Sequence, residues 1–206
     1  MRFTKMEGLG NDYVYLDCTR EAPGDLPELA RRMSDRHFGV GSDGLICIFP
    51  SQTADFKMVM FNADGSQAEM CGNGIRCVGK FVFDKGLTHK TELAIETLAG
   101  VKHLALSILC GQVDAVTVDM GAPRLEEARR VTTHGKEYQG IPVSVGNPHF
   151  VIPTSGVKDF DLQVHAPLSV PNHTFPEGVN VEIVEVVDRS HVKMRVWERG
   201  CGETLA

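Results

Sequence analysis

The chain has 206 residues, of which 42% are apolar, so it is long enough to bury a core in one domain or two small ones. A formal net charge of −6 argues against a surface that binds nucleic acid or an anionic membrane. No apolar run is long enough to cross a bilayer, and the first residues, MRFTK, do not begin the apolar block of a signal peptide. We therefore expect a cytoplasmic protein that binds neither nucleic acid nor membrane.

Two stretches carry helix signals. Asp25 is a good N-cap and is followed by an early proline, which predicts a helix over residues 28–36. The second helix is predicted over residues 72–85 and is followed by Gly86, the residue type that commonly ends a helix. Cys71 immediately precedes this second helix.

Strand signals dominate the rest of the chain. The predicted strands are 45–49, 56–61, 92–97, 101–108, 113–118, 141–145, 150–152, 179–187 and 192–197. Many short strands with few helices predict an α+β protein with barrel-like or sandwich sheets. The strand signals pause at DMGAP (119–123), which predicts an N-terminal domain at 1–118 and a C-terminal domain at 119–206.

The cysteines predict reduced thiols. There are six of them, scattered along the chain without an export signal or a C-x-x-C spacing. They are Cys18, Cys47, Cys71, Cys77, Cys110 and Cys201. Neither a disulfide framework nor a metal site is expected. Cys18, Cys47, Cys77 and Cys110 are interpreted as packing residues, and Cys201 is left without a role.

A short internal repeat links the two halves of the chain. GNDYV at residues 10–14 is similar to GNPHFV at residues 146–151, since each is a Gly-Asn turn followed by apolar strand residues. Cys71 follows Asn11 by 60 positions, and the same step from Asn147 ends at position 207, one place after Ala206. A duplicated unit therefore predicts a second Cys-Gly motif there, although two matches this short also arise by chance.

Cys71 is the strongest candidate for a chemical role. A helix N-terminus presents unpaired N–H groups and partial positive charge, which favour an anion. Gly72 and Gly74 would let a ligand approach the backbone closely, so a substrate carboxylate could lie here with the thiol beside its neighbouring carbon. The alternative is a buried structural cysteine, which is the commoner role of this residue type.

The sequence GVGSDG at residues 39–44 matches the glycine spacing of a dinucleotide-binding loop. A strand, not a helix, follows it at residues 45–49, so the helix N-terminus that would hold the phosphates is missing. A nucleotide cofactor is therefore not expected.

Two further residues are candidate proton-transfer groups. His149 follows a Gly-Asn turn and could act as a base beside a thiol, although a single histidine is more often structural. Glu198 follows the strand that ends at Trp197 and, with Arg199, offers a base and a partner for a carboxylate. Its alternative is a solvated charge pair.

Together these motifs resemble those of the diaminopimelate epimerase family. The similarity is carried in family order by GLGNDY (8–13), FNADGS (61–66), MCGNGIRC (70–77), GNPH (146–149), GVNV (178–181) and WERG (197–200). It implies two pseudo-symmetric domains, each a barrel-like sheet around a central helix. It also implies a cofactor-independent enzyme that converts LL-diaminopimelate to the meso isomer, for lysine and cell-wall synthesis, by proton transfer between two thiols.

The resemblance assigns roles to residues. Cys71 corresponds to one of the two thiols, and His149 and Glu198 to the residues that assist them, with the pairing left open. The implied substrate-binding positions are Asn11, Asn62, Gly72, Asn73, Asn147, Asn180, Glu198 and Arg199.

Two departures from the family pattern stand out. Gly44 lies where some members carry a glutamine, and the second Cys-Gly motif and second central helix are absent, so the second domain is expected to be incomplete and the chain inactive alone. The alternatives are a proline or hydroxyproline racemase, a phenazine-biosynthesis-type isomerase, or a non-catalytic amino-acid-binding fragment. The expected partner is the small-molecule substrate, and a homodimer is left open.

Overall fold

The computed structural model describes residues 1–133, 135–199 and 202–204. The chain forms two compact units, Met1–Gly121 and Ala122–Ala206. Cys201 and the glycine of the WERG motif, Gly200, lie outside the described residues. Within the described ranges, every helix is too short or too polar to cross a bilayer.

The first unit is built on a mixed sheet of eight strands. They are β1 (Thr4–Gly8), β2 (Asn11–Asp17), β3 (Gly44–Phe49), β4 (Phe56–Asn62), β5 (Gln67–Ala68), β6 (Glu92–Thr97), β7 (Gly100–Leu109) and β8 (Gln112–Asp119). The order is β1-β2-β3-β4-β6-β7-β8, with β5 also paired to β4. The pairs β2–β3 and β4–β6 are parallel and the others antiparallel, and the five strands predicted in this unit are confirmed.

Helix α1 (Leu26–Ser34) begins and ends earlier than the sequence predicts. The Asp25 side chain caps it by accepting from the backbone N–H of Glu28 at 3.0 Å, as expected of this residue type. The predicted end at residue 36 is wrong. Oδ1 of Asp35 accepts from the N–H groups of His37 and Phe38, which turns the chain out of the helix.

Helix α2 (Gly72–Asp84) is the central helix of the first unit. Ile75, Val78 and Val82 are fully buried and recur at the spacing that brings side chains to one helix face. They pack in one cluster with residues of the sheet. A Cβ on Gly79 would lie 2.9 Å from Cδ2 of Leu104, so glycine here allows the helix to approach β7 closely.

The second unit contains a sheet of seven strands within the described residues. They are β9 (Arg124–Leu125), β10 (Arg129–Thr133), β11 (Lys136–Ser144), β12 (Pro148–Pro153), β13 (Asn180–Val186), β14 (Val192–Glu198) and β15 (Gly202–Thr204). The order is β10-β11-β12-β13-β14-β15, with β9 on β11. Two 3₁₀ turns, Val157–Asp159 and Leu162–His165, and the short helix α3 (Ala166–Ser169) connect β12 to β13.

The two sheets repeat one pairing pattern. The pairs β1–β2, β2–β3 and β3–β4 are antiparallel, parallel and antiparallel, and so are β11–β12, β12–β13 and β13–β14. In the parallel pairs Tyr13 lies opposite Gly44, and His149 lies opposite Asn180. The expected α+β fold of two pseudo-symmetric, barrel-like sheets is therefore confirmed, with a long central helix in the first unit.

Candidate active site

Cys71 is the N-cap residue of α2. Its backbone is extended, with φ −135° and ψ 118°, and its Sγ accepts a hydrogen bond from the N–H of Gly74 at 3.3 Å. The half-buried thiol in turn donates to Oδ1 of Asn11 at 3.1 Å. A sulfur atom in the N-cap position faces the positive end of the helix, which favours its thiolate form.

Cys77, six residues after Cys71 in α2, has the properties of a packing residue. It is 6% exposed and belongs to the core cluster between the helix and the sheet. Burial raises the pKa of the Cys77 thiol, which leaves it protonated and poorly nucleophilic at neutral pH.

Asn11 is oriented by a residue that the sequence analysis did not single out. Its Nδ2 donates to Oδ2 of Asp43 at 2.9 Å, and the backbone N–H of Asp12 donates to the same oxygen at 3.0 Å. Because only the NH₂ group of an amide can donate to a carboxylate, Oδ1 must face the thiol. Asn11 is 1% exposed, so this orientation is enclosed by protein.

A charged network surrounds Asp43. Arg36 donates to both Asp12 and Asp43, at 2.8 and 2.9 Å, and Lys5 pairs with Asp12 at 2.9 Å. Burial raises the pKa of Asp12, but the hydrogen bonds from Arg36 and Lys5 outweigh it and lower the pKa to about 2. The Asp12 carboxylate is therefore ionised near neutral pH, and its ion pairs hold the start of β2 in place.

Asn62 lies at the end of β4, directly opposite Gly44. It is 6% exposed, and its Nδ2 donates to Oγ of Ser66 at 3.0 Å. A Cβ on Gly44 would lie 2.1 Å from the carbonyl oxygen of Phe61 and 2.7 Å from a ring carbon of Tyr13. No side chain fits there, so the glutamine contact of some family members has no equivalent from this position.

Gly72 and Asn73 form the first turn of α2, where the helix itself offers their N–H groups no acceptor. A Cβ on Gly72 would meet only Met120, at 3.7 Å, so the backbone at this point is open. The Asn73 side chain accepts a hydrogen bond from Arg76 one turn later. This end of the helix can therefore accept a carboxylate.

His149 lies in β12 with a partner at each ring nitrogen. Nδ1 is 2.6 Å from Oε1 of Glu182, and Nε2 is 2.9 Å from Oδ1 of Asn147. Glu182, in β13, is 6% exposed and was not identified from the sequence. The predicted residues Asn147 and His149 are thus in direct contact.

Asn180, Glu198 and Arg199 lie at neighbouring strand ends of the same unit. Oδ1 of Asn180 accepts from the backbone N–H of Arg199 at 2.9 Å, and Nη1 of Arg199 donates to the carbonyl of Glu177 at 3.0 Å. Oε1 of Glu198 accepts from the hydroxyl of Thr204 at 2.9 Å. A carboxylate and a guanidinium at one edge of a sheet can bind a group that carries both charges, such as an amino acid.

The predicted residues therefore form two groups. In the first unit, Cys71 contacts Asn11 directly, with Gly72 and Asn73 beside it at the helix start and Asn62 at the end of β4. The second group, in the second unit, contains Asn147, His149, Asn180, Glu198 and Arg199. In the described part of the chain no three His, Cys, Asp or Glu side chains are arranged to bind a metal ion.

Comparison of the sequence with known families gives one match over nearly the whole chain. The model of the diaminopimelate epimerase family matches residues 3–126 and 141–206. The chain is 52% identical to a diaminopimelate epimerase from Acetivibrio thermocellus over 219 aligned positions, which cover 100% of this chain and 78% of that one. It is 50% identical to a diaminopimelate epimerase from Methanococcus maripaludis strain C5, with 100% and 79% covered.

Solved structures with lower sequence identity share the fold. A hydroxyproline epimerase from Agrobacterium vitis, crystallised with trans-4-hydroxy-L-proline, has a TM-score of 0.76 at 16% identity, covering 99% of this chain and 72% of that one. A phenazine biosynthesis protein from Bacillus anthracis has a TM-score of 0.63 at 18% identity, with 98% and 73% covered.

Proposed function

The chain belongs to the diaminopimelate epimerase family, and on this basis we propose that it inverts one α-carbon of LL-diaminopimelate to give the meso isomer. The reaction uses no cofactor, takes place in the cytoplasm and serves lysine and peptidoglycan synthesis. The observation that carries the proposal is the Cys71 thiol at the N-terminus of α2, hydrogen-bonded to Asn11.

Proton removal is the difficult step, because it builds negative charge on the carboxylate next to the α-carbon. In our proposal this carboxylate binds the N–H groups of Gly72 and Asn73, which stabilise the added charge without having to reorient. Once an assisting base has taken the proton that the Cys71 thiol donates to Asn11, the resulting thiolate beside the same helix end takes the α-proton. The C–H bond breaks, an S–H bond forms, and the electron pair is delocalised into the carboxylate.

Inversion requires a second proton donor on the opposite face of the α-carbon. A single base would return the proton to the face from which it came. We assign this role to the cysteine of the second Cys-Gly motif, which the internal repeat predicts at position 207. The registers of β5 and β15 support the position predicted from the sequence, since Phe61 pairs with Gln67 as Trp197 pairs with Glu203.

The far end of the substrate carries a second amino and carboxylate group. Glu198 and Arg199 offer the complementary charges, and Asn62, Asn147 and Asn180 offer amide groups. A shorter amino acid lacks the distal amino and carboxylate groups and would forgo the contacts that these side chains offer to them. We therefore expect selectivity for diaminopimelate over proline-sized substrates.

The complete gene product tests the proposal. Incubated with LL-diaminopimelate in D₂O, it should form the meso isomer and incorporate deuterium at the α-carbon, as followed by NMR. Cys71→Ser should reduce this rate by about 10³-fold or more, since the residue acts directly in proton transfer. Cys110→Ser, at an exposed hairpin turn, is the matched control and should retain the wild-type rate.

A Cys71→Ser protein with the wild-type rate would overturn the mechanism. L-Proline and trans-4-hydroxy-L-proline are assayed in parallel, and faster turnover of either one would favour the racemase alternative over diaminopimelate. Light scattering of the same preparation tests whether the protein is a homodimer, which the sequence leaves open.

A further inference from the structure

Glu182 is unusual for its place in the second sheet. Its neighbours in β13, Val181 and Ile183, are fully buried in the hydrophobic cluster of this unit. Glu182 therefore points to the opposite face of the sheet, because side chains alternate along a strand. It is 94% buried there, which is rare for a glutamate without a specific partner.

The register of β12 and β13 explains how Glu182 reaches His149. The strands are parallel, with His149 opposite Asn180 and Val151 opposite Glu182, so these four side chains share one face. Glu182 is the diagonal neighbour of His149, and its Oε1 lies 2.6 Å from Nδ1 of the ring. This is a short, charge-assisted geometry for a hydrogen bond between imidazole and carboxylate.

The second carboxylate oxygen argues against a purely structural role. Oε2 of Glu182 is buried and has no hydrogen-bond partner in the described residues. A group placed only to stabilise the fold would be expected to satisfy both oxygens, since an unsatisfied buried acceptor is unfavourable. What the carboxylate achieves here is the contact with the histidine.

Resting on the function proposed above, we infer that Glu182 is a positioning residue that holds the Nδ1–H of His149 and so keeps Nε2 as the nitrogen that accepts a proton from a thiol. Without a strong acceptor at Nδ1, a neutral imidazole can carry its proton on either nitrogen. With Glu182 in place, the proton stays on Nδ1 and Nε2 is the base. In this proposal Glu182 acts through His149 and not directly on the substrate or the thiol.

The thiol and the His149 ring together account for every proton that moves in this step. When Nε2 takes the proton of a thiol, the S–H bond breaks, an N–H bond forms, and a thiolate and an imidazolium result. The carboxylate of Glu182 stabilises the imidazolium. The Asn147 amide can bind either protonation state of the His149 ring. Its Oδ1 accepts from Nε2–H, and after rotation of the amide group its Nδ2 donates to the lone pair on Nε2.

The decisive experiment compares Glu182→Gln with Glu185→Gln in the complete gene product. Both changes remove one carboxylate charge from β13, but Glu185 lies on the opposite face of the strand from Glu182. There it pairs with Lys193 and accepts from the backbone N–H groups of Gly156 and Val157, which a glutamine oxygen can still do. We expect Glu182→Gln to lower kcat about tenfold or more while KM changes less than about twofold, because the change affects proton transfer and not binding. Glu185→Gln should match the wild type in both constants.

A second measurement reports on the imidazole without relying on turnover. In protein labelled with ¹⁵N-histidine, the long-range ¹H–¹⁵N spectrum distinguishes the Nδ1–H and Nε2–H tautomers, and His149→Gln identifies the signal. The wild type and Glu185→Gln should show Nδ1–H, and Glu182→Gln should show a shift toward Nε2–H. This readout remains usable if a variant is too unstable for kinetics, since the wild-type tautomer alone supports or contradicts the inference.

The outcomes separate the two proposals. A wild-type protein that does not interconvert the isomers contradicts the proposed function. The tautomer measurement still tests whether Glu182 keeps the proton on Nδ1 of His149. An active wild type whose kcat is unchanged by Glu182→Gln, or whose His149 is in the Nε2–H form, overturns the positioning role alone.

Discussion

The Sγ atom of Cys71 lies 3.1 Å from Oδ1 of Asn11, although 60 residues separate the two in the chain. The same sulfur accepts from the N–H of Gly74, so the thiol is held between one donor and one acceptor. The acceptor is fixed in turn, because Nδ2 of Asn11 donates to Asp43. The position of the thiol therefore depends on strand β2 as much as on helix α2.

Replacing Asn11 with leucine should destabilise the first unit. Leucine has a similar size but removes the hydrogen bonds to Cys71 and Asp43, leaving a partly buried carboxylate oxygen with one partner fewer. We expect a loss of about 1–3 kcal/mol in the free energy of unfolding, measured by urea denaturation. A loss below about 0.5 kcal/mol would contradict this account of the Asn11 contacts.

The two glycines at the start of α2 should respond differently to alanine. A Cβ on Gly74 would lie 2.7 Å from Cδ1 of the fully buried Ile46, whereas a Cβ on Gly72 would make only an ordinary contact with Met120 at 3.7 Å. Gly74→Ala should cost about 1–3 kcal/mol in unfolding free energy, and Gly72→Ala less than about 0.5 kcal/mol. Equal effects in urea denaturation would mean that the packing around Ile46 does not set this difference.

Asp12 should make the stability of the first unit depend on pH. Its pKa is lowered to about 2 in the folded protein, against about 4 in an unfolded chain, so its ion pairs stabilise above pH 4 and this contribution is lost as pH falls from 4 toward 2. Asp12→Asn should therefore cost about 1–2 kcal/mol at pH 6, after allowance for the solvent exposure of Arg36 and Lys5.

Urea unfolding at pH 6 and pH 2.5 checks this dependence. The difference between Asp12→Asn and the wild type should shrink at the lower pH, while Asp114→Asn, on an exposed part of β8, should behave as the wild type at both. A difference that stays constant between the two pH values would show that Asp12 acts through something other than its charge.

The turn between β7 and β8 offers a stabilising substitution. Cys110 and Gly111 connect the paired residues Leu109 and Gln112, with φ values of 51° and 79°. Asparagine is favoured in such a two-residue turn, because it tolerates the left-handed backbone better than cysteine does. Cys110→Asn should raise the unfolding free energy by about 1 kcal/mol, seen as a higher melting temperature by calorimetry.

Cys110→Ala serves as the control for this turn. It also removes the exposed thiol but lacks the short polar side chain that lets asparagine hydrogen-bond locally at positive φ, and it should not be more stable than the wild type. If alanine and asparagine stabilise equally, the effect comes from loss of the thiol and not from the backbone.

Local sequence chemistry was sufficient to predict α2 and the place of the thiol. The helix was predicted over residues 72–85 and is observed at Gly72–Asp84, and Gly86 has the positive φ of 71° expected after a helix C-terminus. The N-cap residue Cys71, the glycines of the first turn and Gly86 after the C-terminus all lie within or next to helix α2. The strand predicted after GVGSDG is confirmed as β3 (Gly44–Phe49).

Residues that act across the sheets left no such local signal. Asp43 meets Asn11 because β2 and β3 are parallel, and Glu182 meets His149 because β12 and β13 are parallel. Each contact joins residues more than 30 positions apart, at 32 and 33 positions respectively. The spacing of a parallel crossover depends on the connecting segment, so no fixed sequence interval could indicate these pairs.

The capping role of the Cys71 sulfur has one more consequence. An electrophile that alkylates this atom would remove the thiol donor used by Asn11 and weaken the acceptor used by Gly74 in a single event. Covalent inhibition should then loosen the opening turn of α2, visible as faster amide hydrogen exchange at Gly74. The exchange rate of the Gly74 amide would therefore show whether the sulfur of Cys71 has been modified.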